Sequence, residues 1–297
     1  AAKWFLSAAM QGHTNAQFQL ALLYKTGQGI VKDEQEAIKW LTVAANEGHT
    51  NAQYSLGLIY KQQQASTSTL LAIEWLNKAA SSEHLSACYD LGMIYKQQGI
   101  LDAAEKWLKR AAVRGHAKAQ FEIGVNALNS DHTTLSYQEG FKWIHLASSQ
   151  NLIEAEFQLG LLYERGIGTV INYEEARRCY RLAAEQGHIE AQYMLGNVFD
   201  KGLGVMRDYS EAAKWIMKAA NSGFSKAQFQ LAQMYTNGEG LKKDYTEAAK
   251  WYRLAANQGH VKAQFQLGML YKKGLGIAQD YTEATRWLKL SMDQEVE

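Results

Sequence analysis

The sequence contains no proline and only two cysteines among its 297 residues. Without proline, every break between helices must rest on glycine and on polar turn residues. Cys88 and Cys179 are separated by more than two of the repeats described below. That separation is too large for their Cα atoms to come within the ~7 Å of a disulfide. We therefore expect a fold that does not depend on oxidation, which leaves the compartment open.

Charge imbalance and long apolar runs are also absent. The formal net charge is only +1, which argues against nucleic acid or an anionic membrane as the main partner. No apolar run approaches the ~18 residues of a membrane span, so we expect no integral membrane segment. No Asn-x-Ser/Thr sequon occurs. Apolar residues nevertheless make up 47% of the chain, which is ample for a continuous core.

The dominant feature of the chain is an internal repeat of about 36 residues. Each copy opens on an alanine followed four residues later by a leucine or isoleucine, and the copies tile residues 1–297 as one array. Residues 1–11 match the second half of a copy, so the sequence starts within a unit, and we expect any signal peptide to have preceded residue 1. The eight anchor residues are Ala16, Ala52, Ala87, Ala119, Ala155, Ala191, Ala227 and Ala263.

Each unit predicts two helices, A and B, joined by a loop. Counting the anchor as position 0, apolar residues recur at positions 0, 4 and 8, as in Ala263, Leu267 and Tyr271, which is helical spacing. A second periodic run follows a Gly-x-Gly break, and a Gly-His pair closes most units with a left-handed residue. Six capping residues, each with Glu three positions later, predict where helix B starts: Asp33/Glu36, Ser136/Glu139, Asn172/Glu175, Asp208/Glu211, Asp244/Glu247 and Asp280/Glu283.

Two recurring positions predict close packing. Position 5 of helix A is Gly or Ala in every unit, although Gly costs about 1 kcal/mol in a helix. We expect a neighbouring helix to approach the backbone closely there, for example at Gly196. One position of helix B is Trp in seven units, and we expect this ladder, including Trp251 and Trp287, to lie in the core. Two segments depart from the pattern: a polar loop is expected at residues 61–68, and residues 293–297 form an acidic tail.

The combined pattern resembles the Sel1-like repeat, a relative of the tetratricopeptide repeat with a longer loop. The resemblance rests on Ala-x-x-x-Leu-Gly-x-x-Tyr, then Gly-x-Gly, then Asp-Tyr-x-Glu-Ala-x-x-Trp, then Ala-Ala-x-x-Gly-His, and it covers residues 1–297. It implies an all-α, right-handed superhelical α/α solenoid with a scaffold or adaptor function. Many relatives come from host-associated bacteria, which implies export towards a host cell, with the bacterial periplasm or cytoplasm as alternatives.

Position 2 of helix A carries the strongest functional signal, because it is aromatic in all eight units. It lies about 160° from the leucine of position 4 on a helical wheel, away from the packing stripe. Two interpretations stay open: the rings line the inner surface of the solenoid, or they pack between adjacent A helices. The residues are Phe18, Tyr54, Tyr89, Phe121, Phe157, Tyr193, Phe229 and Phe265.

Charges on the same face change sign along the chain, which indicates a groove for a polypeptide with its own charge pattern. The order is basic, acidic, basic: Lys25, Lys61, Lys96 and Lys118, then Glu154, Glu164, Glu190 and Asp200, then Lys226, Lys262, Lys272 and Lys273. The candidate partner-binding residues are Phe121, Phe157, Tyr193, Phe229, Phe265, Glu190, Asp200, Lys226 and Lys262.

We therefore expect a monomeric, non-enzymatic scaffold that binds a peptide or partner domain, with a host protein as one candidate partner. We expect no cofactor and no metal, because six histidines occur one per unit, roughly 10 Å apart, and cannot converge on an ion. Two alternatives stay open. One is a cell-wall-active or β-lactam-binding enzyme of the repeat family, although the chain has no Ser-x-x-Lys. The other is a membrane-surface adaptor that binds acidic lipids.

Overall fold

The computed structural model describes residues 1–63, 66–130 and 132–293 of the chain. These residues form helices and turns, with no strand among them. The helices are α1 (Ala2–Met10), α2 (Thr14–Thr26), α3 (Glu34–Asn46), α4 (Thr50–Gln62), α5 (Ser66–Ser81), α6 (Leu85–Gln97), α7 (Leu101–Val113), α8 (Ala117–Leu128), α9 (Thr134–Ser148), α10 (Ile153–Arg165), α11 (Tyr173–Glu185), α12 (Ile189–Lys201), α13 (Tyr209–Asn221), α14 (Ser225–Asn237), α15 (Tyr245–Asn257), α16 (Val261–Lys273) and α17 (Tyr281–Asp293).

The chain divides into two compact units, residues 1–127 and residues 128–297. Within the first, the A helices α2, α4 and α6 pack on the B helices α3, α5 and α7, and α3 and α5 pack on the A helices that follow them, α4 and α6. Within the second, α10, α12, α14 and α16 pack in the same way on α11, α13, α15 and α17. The all-α repeat solenoid expected from the sequence is confirmed. Stability in such an array is close to a sum of terms from neighbouring helices.

The starts of the B helices follow the sequence, but the capping boxes are only half formed. The side chain of Asp244 accepts hydrogen bonds from the backbone N–H groups of Thr246 and Glu247 at 2.8 and 3.1 Å. The backbone N–H of Asp244, which Glu247 would accept from in a complete box, instead donates to the carbonyl of Tyr235 in helix A at 2.9 Å. The same backbone bond recurs at Asp33, Asn172, Asp208 and Asp280.

Some of the glutamates that would complete the boxes instead accept hydrogen bonds from tryptophan side chains. The indole Nε1 of Trp215 donates to Glu211 at 3.0 Å, and that of Trp287 donates to Glu283 at 3.0 Å. The prediction for Ser136 is wrong, because α9 begins earlier, at Thr134. Its N-cap is Thr133, whose side chain accepts a hydrogen bond from the backbone N–H of Ser136.

The core of the B helices lies one residue beyond the tryptophan ladder. Trp287 is 7% exposed, as expected, but Trp251 is only half-buried, so that expectation is wrong. The residue after the tryptophan is more deeply buried in six of the seven units: Leu41, Leu76, Leu108, Ile144, Ile216 and Tyr252 are each 2% exposed or less, whereas Leu288 is half-buried. The tryptophan therefore covers the edge of the core, where its Nε1 can reach a glutamate.

The small residue at position 5 of helix A is required by this buried residue. A Cβ added at Gly196 would lie 2.5 Å from Cδ1 of Ile216 and 3.3 Å from the carbonyl oxygen of Ala212, both on α13. The equivalent Gly57 and Gly92 meet Leu76 and Leu108 in the same way. The close approach expected from the sequence is confirmed, although its nearest contact is a side chain rather than the backbone.

Two observations concern the connections between helices: one loop is shorter than expected, and the second glycine of several loops packs on a neighbouring repeat. The loop expected at residues 61–68 is shorter, because α4 continues to Gln62 and α5 begins at Ser66; residues 64–65 lie outside the described residues, as do residues 294–297 of the acidic tail. In the second unit, the second glycine of each Gly-x-Gly loop packs on the preceding repeat, whereas a Cβ at Gly29 in the first unit would meet nothing within 4 Å. At Gly240, where φ is 70°, a Cβ would overlap the carbonyl oxygen of Tyr209 at the start of α13.

Side chains also join consecutive repeats end to end. The residue after each anchor is glutamine in six units, and its Nε2 donates to a carbonyl near the end of the preceding B helix. Gln228 bonds Ala220 at 3.2 Å, and Gln264 bonds Ala256 at 3.3 Å. These glutamines are almost fully buried. Each one therefore adds a second hydrogen bond to a carbonyl at the end of the B helix, which already accepts the N–H of the turn glycine, as Ala220 accepts from Gly223 and Ala256 from Gly259.

Replacing Gly196 by leucine should weaken this packing. The larger side chain must displace Ile216 from the core, so we expect the free energy of unfolding to fall by about 1–3 kcal/mol or more. Urea denaturation followed by circular dichroism measures the change. Ala232, which fills the same position of the next repeat, provides the control: Ala232→Gly should cost only about 0.5–1 kcal/mol. An unchanged unfolding midpoint for Gly196→Leu would contradict the packing account.

Candidate functional site

A surface groove crosses the A helices α12, α14 and α16 of the second unit. Its cavity volume is about 670 Å³. Five of the nine residues predicted from the sequence line it: Tyr193, Asp200, Lys226, Phe229 and Lys262. The remaining lining residues are Asn197, Lys201, Gln230, Gln233, Met234, Asn237, Glu239, His260 and Val261.

The aromatic floor of the groove is held in place by the residues that precede the next A helices. The Phe229 ring stacks on the imidazole of His260, with centroids 4.6 Å apart, and the Tyr193 ring meets Phe224 edge-on at 5.2 Å. Both Tyr193 and Phe229 are half-buried, so each ring has one part packed and another part accessible. Each ring thus packs against the residue that precedes the next A helix and also lines the groove; whether the groove lies on the inner surface of the solenoid stays a prediction.

The same stacking recurs along the chain. Phe18 lies against His49, Tyr54 against His84, Tyr89 against His116 and Phe157 against His188, with centroids 4.3–4.8 Å apart. These histidines were expected to be turn residues, and the structure gives them a more specific role. Each one is the N-cap of an A helix.

The caps require an unprotonated ring nitrogen. Nδ1 of His260 accepts the backbone N–H of Ala263 at 3.2 Å, and His49, His84, His116 and His188 accept in the same way at 3.1–3.2 Å. Burial lowers the pKa of His49, His84, His116 and His260, and Lys262 and Lys226 lower that of His260 further. These four rings are therefore neutral at physiological pH.

The groove has a basic side and an acidic side. Lys226 and Lys262 lie exposed in the first turns of α14 and α16, where the positive ends of the helix dipoles add to their charge. Asp200 lies at the last turn of α12, and Glu239 follows the end of α14. Burial raises the pKa of Asp200, and the neighbouring carboxylate of Glu239 raises it further.

Four of the predicted residues lie elsewhere. Glu190 lines a separate depression with Phe224 at the turns before α12 and α14. Phe265 is on α16, 47% exposed, but does not line the groove. Phe157 is on α10, stacked on His188, and Phe121 is on α8 within the first unit.

The basic run predicted in the first unit is partly neutralised by the protein itself. Lys61 Nζ lies 2.7 Å from a carboxylate oxygen of Asp90, and Lys96 Nζ lies 2.6 Å from Glu122. The phenolic hydroxyl of Tyr54 also donates to Asp90, at 2.9 Å. Two of the four expected basic residues are therefore engaged in ion pairs between consecutive A helices.

Several lining residues were missed by the sequence reading, although a signal for two of them was present. Position 6 of helix A is apolar in six units, as Leu22, Leu58, Met93, Val125, Leu161 and Met269. It is an amide only in the two units that form the centre of the groove, as Asn197 and Gln233. A departure confined to adjacent repeats, at a position that faces a cavity, is a signal for a candidate site.

Other chemistries find little support among the described residues. No group of three or more His, Cys, Asp or Glu side chains in the described ranges is arranged to hold a metal ion. Both cysteines are buried, and burial raises the pKa of Cys179 to about 12, so its thiol is protonated at neutral pH and poorly nucleophilic. None of the described helices is long and apolar enough to cross a membrane.

Acid should destabilise the protein through the histidine caps. A group whose pKa is lower in the folded state than in the unfolded state binds fewer protons when folded, so stability is lost as pH falls below about 6.5. We expect the melting temperature to fall between about pH 7.5 and pH 5.5. Thermal unfolding across this range measures it.

His260→Asn is the matched variant, because asparagine keeps an N-cap acceptor without a titration near neutral pH. Its melting temperature should depend less steeply on pH than that of the wild type. An equal slope for the two proteins would show that His260 does not contribute to the acid sensitivity.

The paired helices, the Gly-x-Gly loops and the repeated caps define an α/α repeat protein of the solenoid class. The Sel1 repeat model matches nine consecutive segments: residues 1–13, 14–49, 50–84, 85–116, 117–152, 153–188, 189–224, 225–260 and 261–295. The chain therefore belongs to the Sel1 repeat family, as the resemblance implied, and residues 1–13 count as a partial ninth copy.

Two solved structures are similar over nearly the whole chain. One is c5321, a protective antigen of uropathogenic Escherichia coli strains that displays an SLR fold. It is 30% identical with a TM-score of 0.93, and the match covers 99% of this chain and 64% of that protein. The other is a Sel1 repeat protein from Oxalobacter formigenes, 29% identical with a TM-score of 0.72, covering 98% of this chain and 87% of that one. No curated protein sequence matches this chain significantly.

Proposed function

We propose that this protein is a non-enzymatic interaction scaffold that binds an extended segment of a partner protein in the groove formed by α12, α14 and α16. The observation that carries the proposal is the replacement of apolar residues by Asn197 and Gln233 at the two positions that line the groove. Carboxamide side chains carry both donors and acceptors, which suits the alternating N–H and C=O groups of a peptide backbone.

The aromatic rings supply a second element of recognition. Tyr193 and Phe229 are anchored on one side by Phe224 and His260, so a ligand that covers their accessible parts need not immobilise them. Aromatic residues held beside charged ones have the composition of binding hot spots. The Sel1 repeat fold, in which protein–protein interaction is the common role, supports the same reading.

We further propose a monomer that is exported from a bacterium and meets a host protein. The likeness to a protective antigen of uropathogenic Escherichia coli supports this setting. The chain spans 64% of that relative, so the relative's own role extends here only as part of the proposal. The enzymatic and lipid-binding alternatives remain predictions from the family resemblance and from the lysines, respectively.

Removing the aromatic floor should abolish most of the binding. The test uses peptides of about ten random residues displayed on phage, long enough at ~3.3 Å per residue to cross three A helices ~10 Å apart. For a peptide selected on the wild type, Tyr193→Ala together with Phe229→Ala should weaken the affinity at least about tenfold. Fluorescence polarisation measures the affinity.

The control is Phe18→Ala, which removes an equivalent ring stacked on His49 in the first unit, far from the groove along the chain. It should leave the affinity unchanged. If both variants bind as the wild type does, or if no peptide is selected, the groove is not the binding surface.

The lysines should act mainly on association. Both are exposed at the edge of the groove, where a charge attracts a ligand over a distance but is screened once contact is made. Lys226→Glu with Lys262→Glu should therefore change the association rate of an acidic peptide, and its salt dependence, more than the dissociation rate. Stopped-flow kinetics at two salt concentrations separates the two rates, and a change confined to dissociation would contradict the expectation.

A further inference from the structure

Consecutive A helices meet at a fixed pair of positions, and the first unit places an ion pair there twice. The pair joins position 9 of one A helix to position 3 of the next. In the first unit it is Lys61 with Asp90, at 2.7 Å, and Lys96 with Glu122, at 2.6 Å. In each pair a lysine ammonium neutralises a partly buried carboxylate.

The same pair of positions in the groove lacks the cation. It is occupied by Asp200 and Gln230, and the only hydrogen bond between them is long, with Gln230 Nε2 at 3.5 Å from Asp200 Oδ2. The Oε1 atom of Gln230 is buried without a hydrogen-bond partner among the described residues. In the described ranges of the chain, no lysine or arginine forms an ion pair with Asp200.

Glu164 is another acidic residue at position 9, and its carboxylate has a hydrogen-bond donor within the protein. Glu164 accepts a short hydrogen bond from the buried hydroxyl of Tyr180. Among the described residues Asp200 accepts only the long bond from Gln230; burial and the carboxylate of Glu239 raise its pKa, and the charges of Arg207 and Lys201, which form no ion pair with it, offset this rise only in part. A charge that is desolvated and poorly compensated in the free protein gains most from a ligand that supplies the opposite charge.

The chemistry of the surrounding groups selects the kind of cation. The described residues here do not form a grouping suited to a metal ion. The groove offers instead a carboxylate, amide oxygens and the half-buried rings of Tyr193 and Phe229. Carboxylates hydrogen-bond ammonium and guanidinium groups, and aromatic faces attract them.

We propose that the Asp200 end of the groove receives a lysine or arginine side chain of the bound peptide, in the place that Lys61 and Lys96 occupy at the equivalent joints of the first unit. This inference rests on the proposed function, because it names the residue by which a peptide in that groove is recognised. Asp200 and Gln230 are the residues that hold the cationic group.

The opposite side of the groove then selects for an acidic residue. Lys226 and Asn237 both line the groove and lie at opposite ends of α14. At a rise of 1.5 Å per residue they are about 16 Å apart, which gives the distance between the two sides of the groove. Successive side chains of an extended segment point to opposite sides. A basic residue directed at Asp200 and an acidic residue directed at Lys226 or Lys262 should therefore be separated by an odd number of positions in the bound sequence.

The test uses the phage-displayed random peptides introduced above, selected in parallel on the wild type and on variants. Wild-type selection should enrich Lys or Arg at one position and Asp or Glu at an odd spacing from it. Changing the basic residue of the best peptide to Gln should weaken its binding at least about tenfold, and the same change should have little effect on Asp200→Asn.

Gln230→Lys supplies the cation from within the protein. It should form an ion pair with Asp200, as Lys61 does with Asp90, and so lower the affinity for the basic peptide at least about tenfold without loss of melting temperature. The matched control is Gln266→Lys, which adds the same charge at position 3 of the next A helix, opposite Thr236 rather than an acid. It should reduce the affinity by much less.

The outcomes separate this inference from the proposed function. If peptides bind, and if Tyr193→Ala with Phe229→Ala weakens them, but no basic residue is enriched, the groove binds peptides and the cation inference is overturned. Equal losses with Gln230→Lys and Gln266→Lys would also overturn it, because the effect would then be general repulsion. Failure to select any peptide would overturn both.

Discussion

The satisfaction of backbone groups at the ends of the helices is the constraint on which the rest of the structure depends. A stack of short helices leaves many N–H and C=O groups without intrahelical partners. Here the same side chains recur to meet them: a histidine caps helix A, an aspartate or asparagine caps helix B, and a glutamine bonds the end of the preceding B helix. The two caps act within single helices, whereas the glutamine bond and the stacking of the capping histidine on a ring of the preceding A helix join one repeat to the next.

The groove is formed by the same contacts that join one repeat to the next, here called the joint, and not by an additional element. His260 is bonded to the backbone of α16 through Nδ1 and stacked on Phe229 of α14. The joint therefore holds the ring at the floor of the groove and leaves part of it accessible. Once the frame is fixed, a functional surface needs only a few departures from the repeat, and Asn197, Gln233 and Asp200 are such departures.

The sequence predicted what is set by local physical chemistry. Periodicity and cap residues identify the helices, and a small residue such as Gly196 requires a close neighbour whatever that neighbour is. Five of the nine predicted site residues meet in one groove, because their positions on helix A determine which way they face. The half-buried Trp251 shows where this reasoning ends, since a tryptophan beside a buried Tyr252 satisfies the same periodicity at the edge of the core.

Pairings between repeats could not be read from the sequence. Asp33 and Glu36 fit a capping box, yet the N–H that would close the box is taken by the carbonyl of Tyr24 in another helix. Lys61 and Lys96 look like free basic charges in the sequence, but their partners Asp90 and Glu122 lie on the next A helix. Such partners lie 26 to 29 residues away in the sequence, and only the packing of the helices brings them together.

The joint also couples ligand binding to the stability of the array. A ligand that binds only the folded groove stabilises that state by mass action. Because Phe229 contacts both the groove and His260, this stabilisation acts on the contact between α14 and α16 rather than on one helix alone. In an array held by nearest-neighbour terms, a gain at one joint opposes separation of the repeats on both sides of it. The proposed recognition and the cohesion of these repeats thus depend on the same side chains.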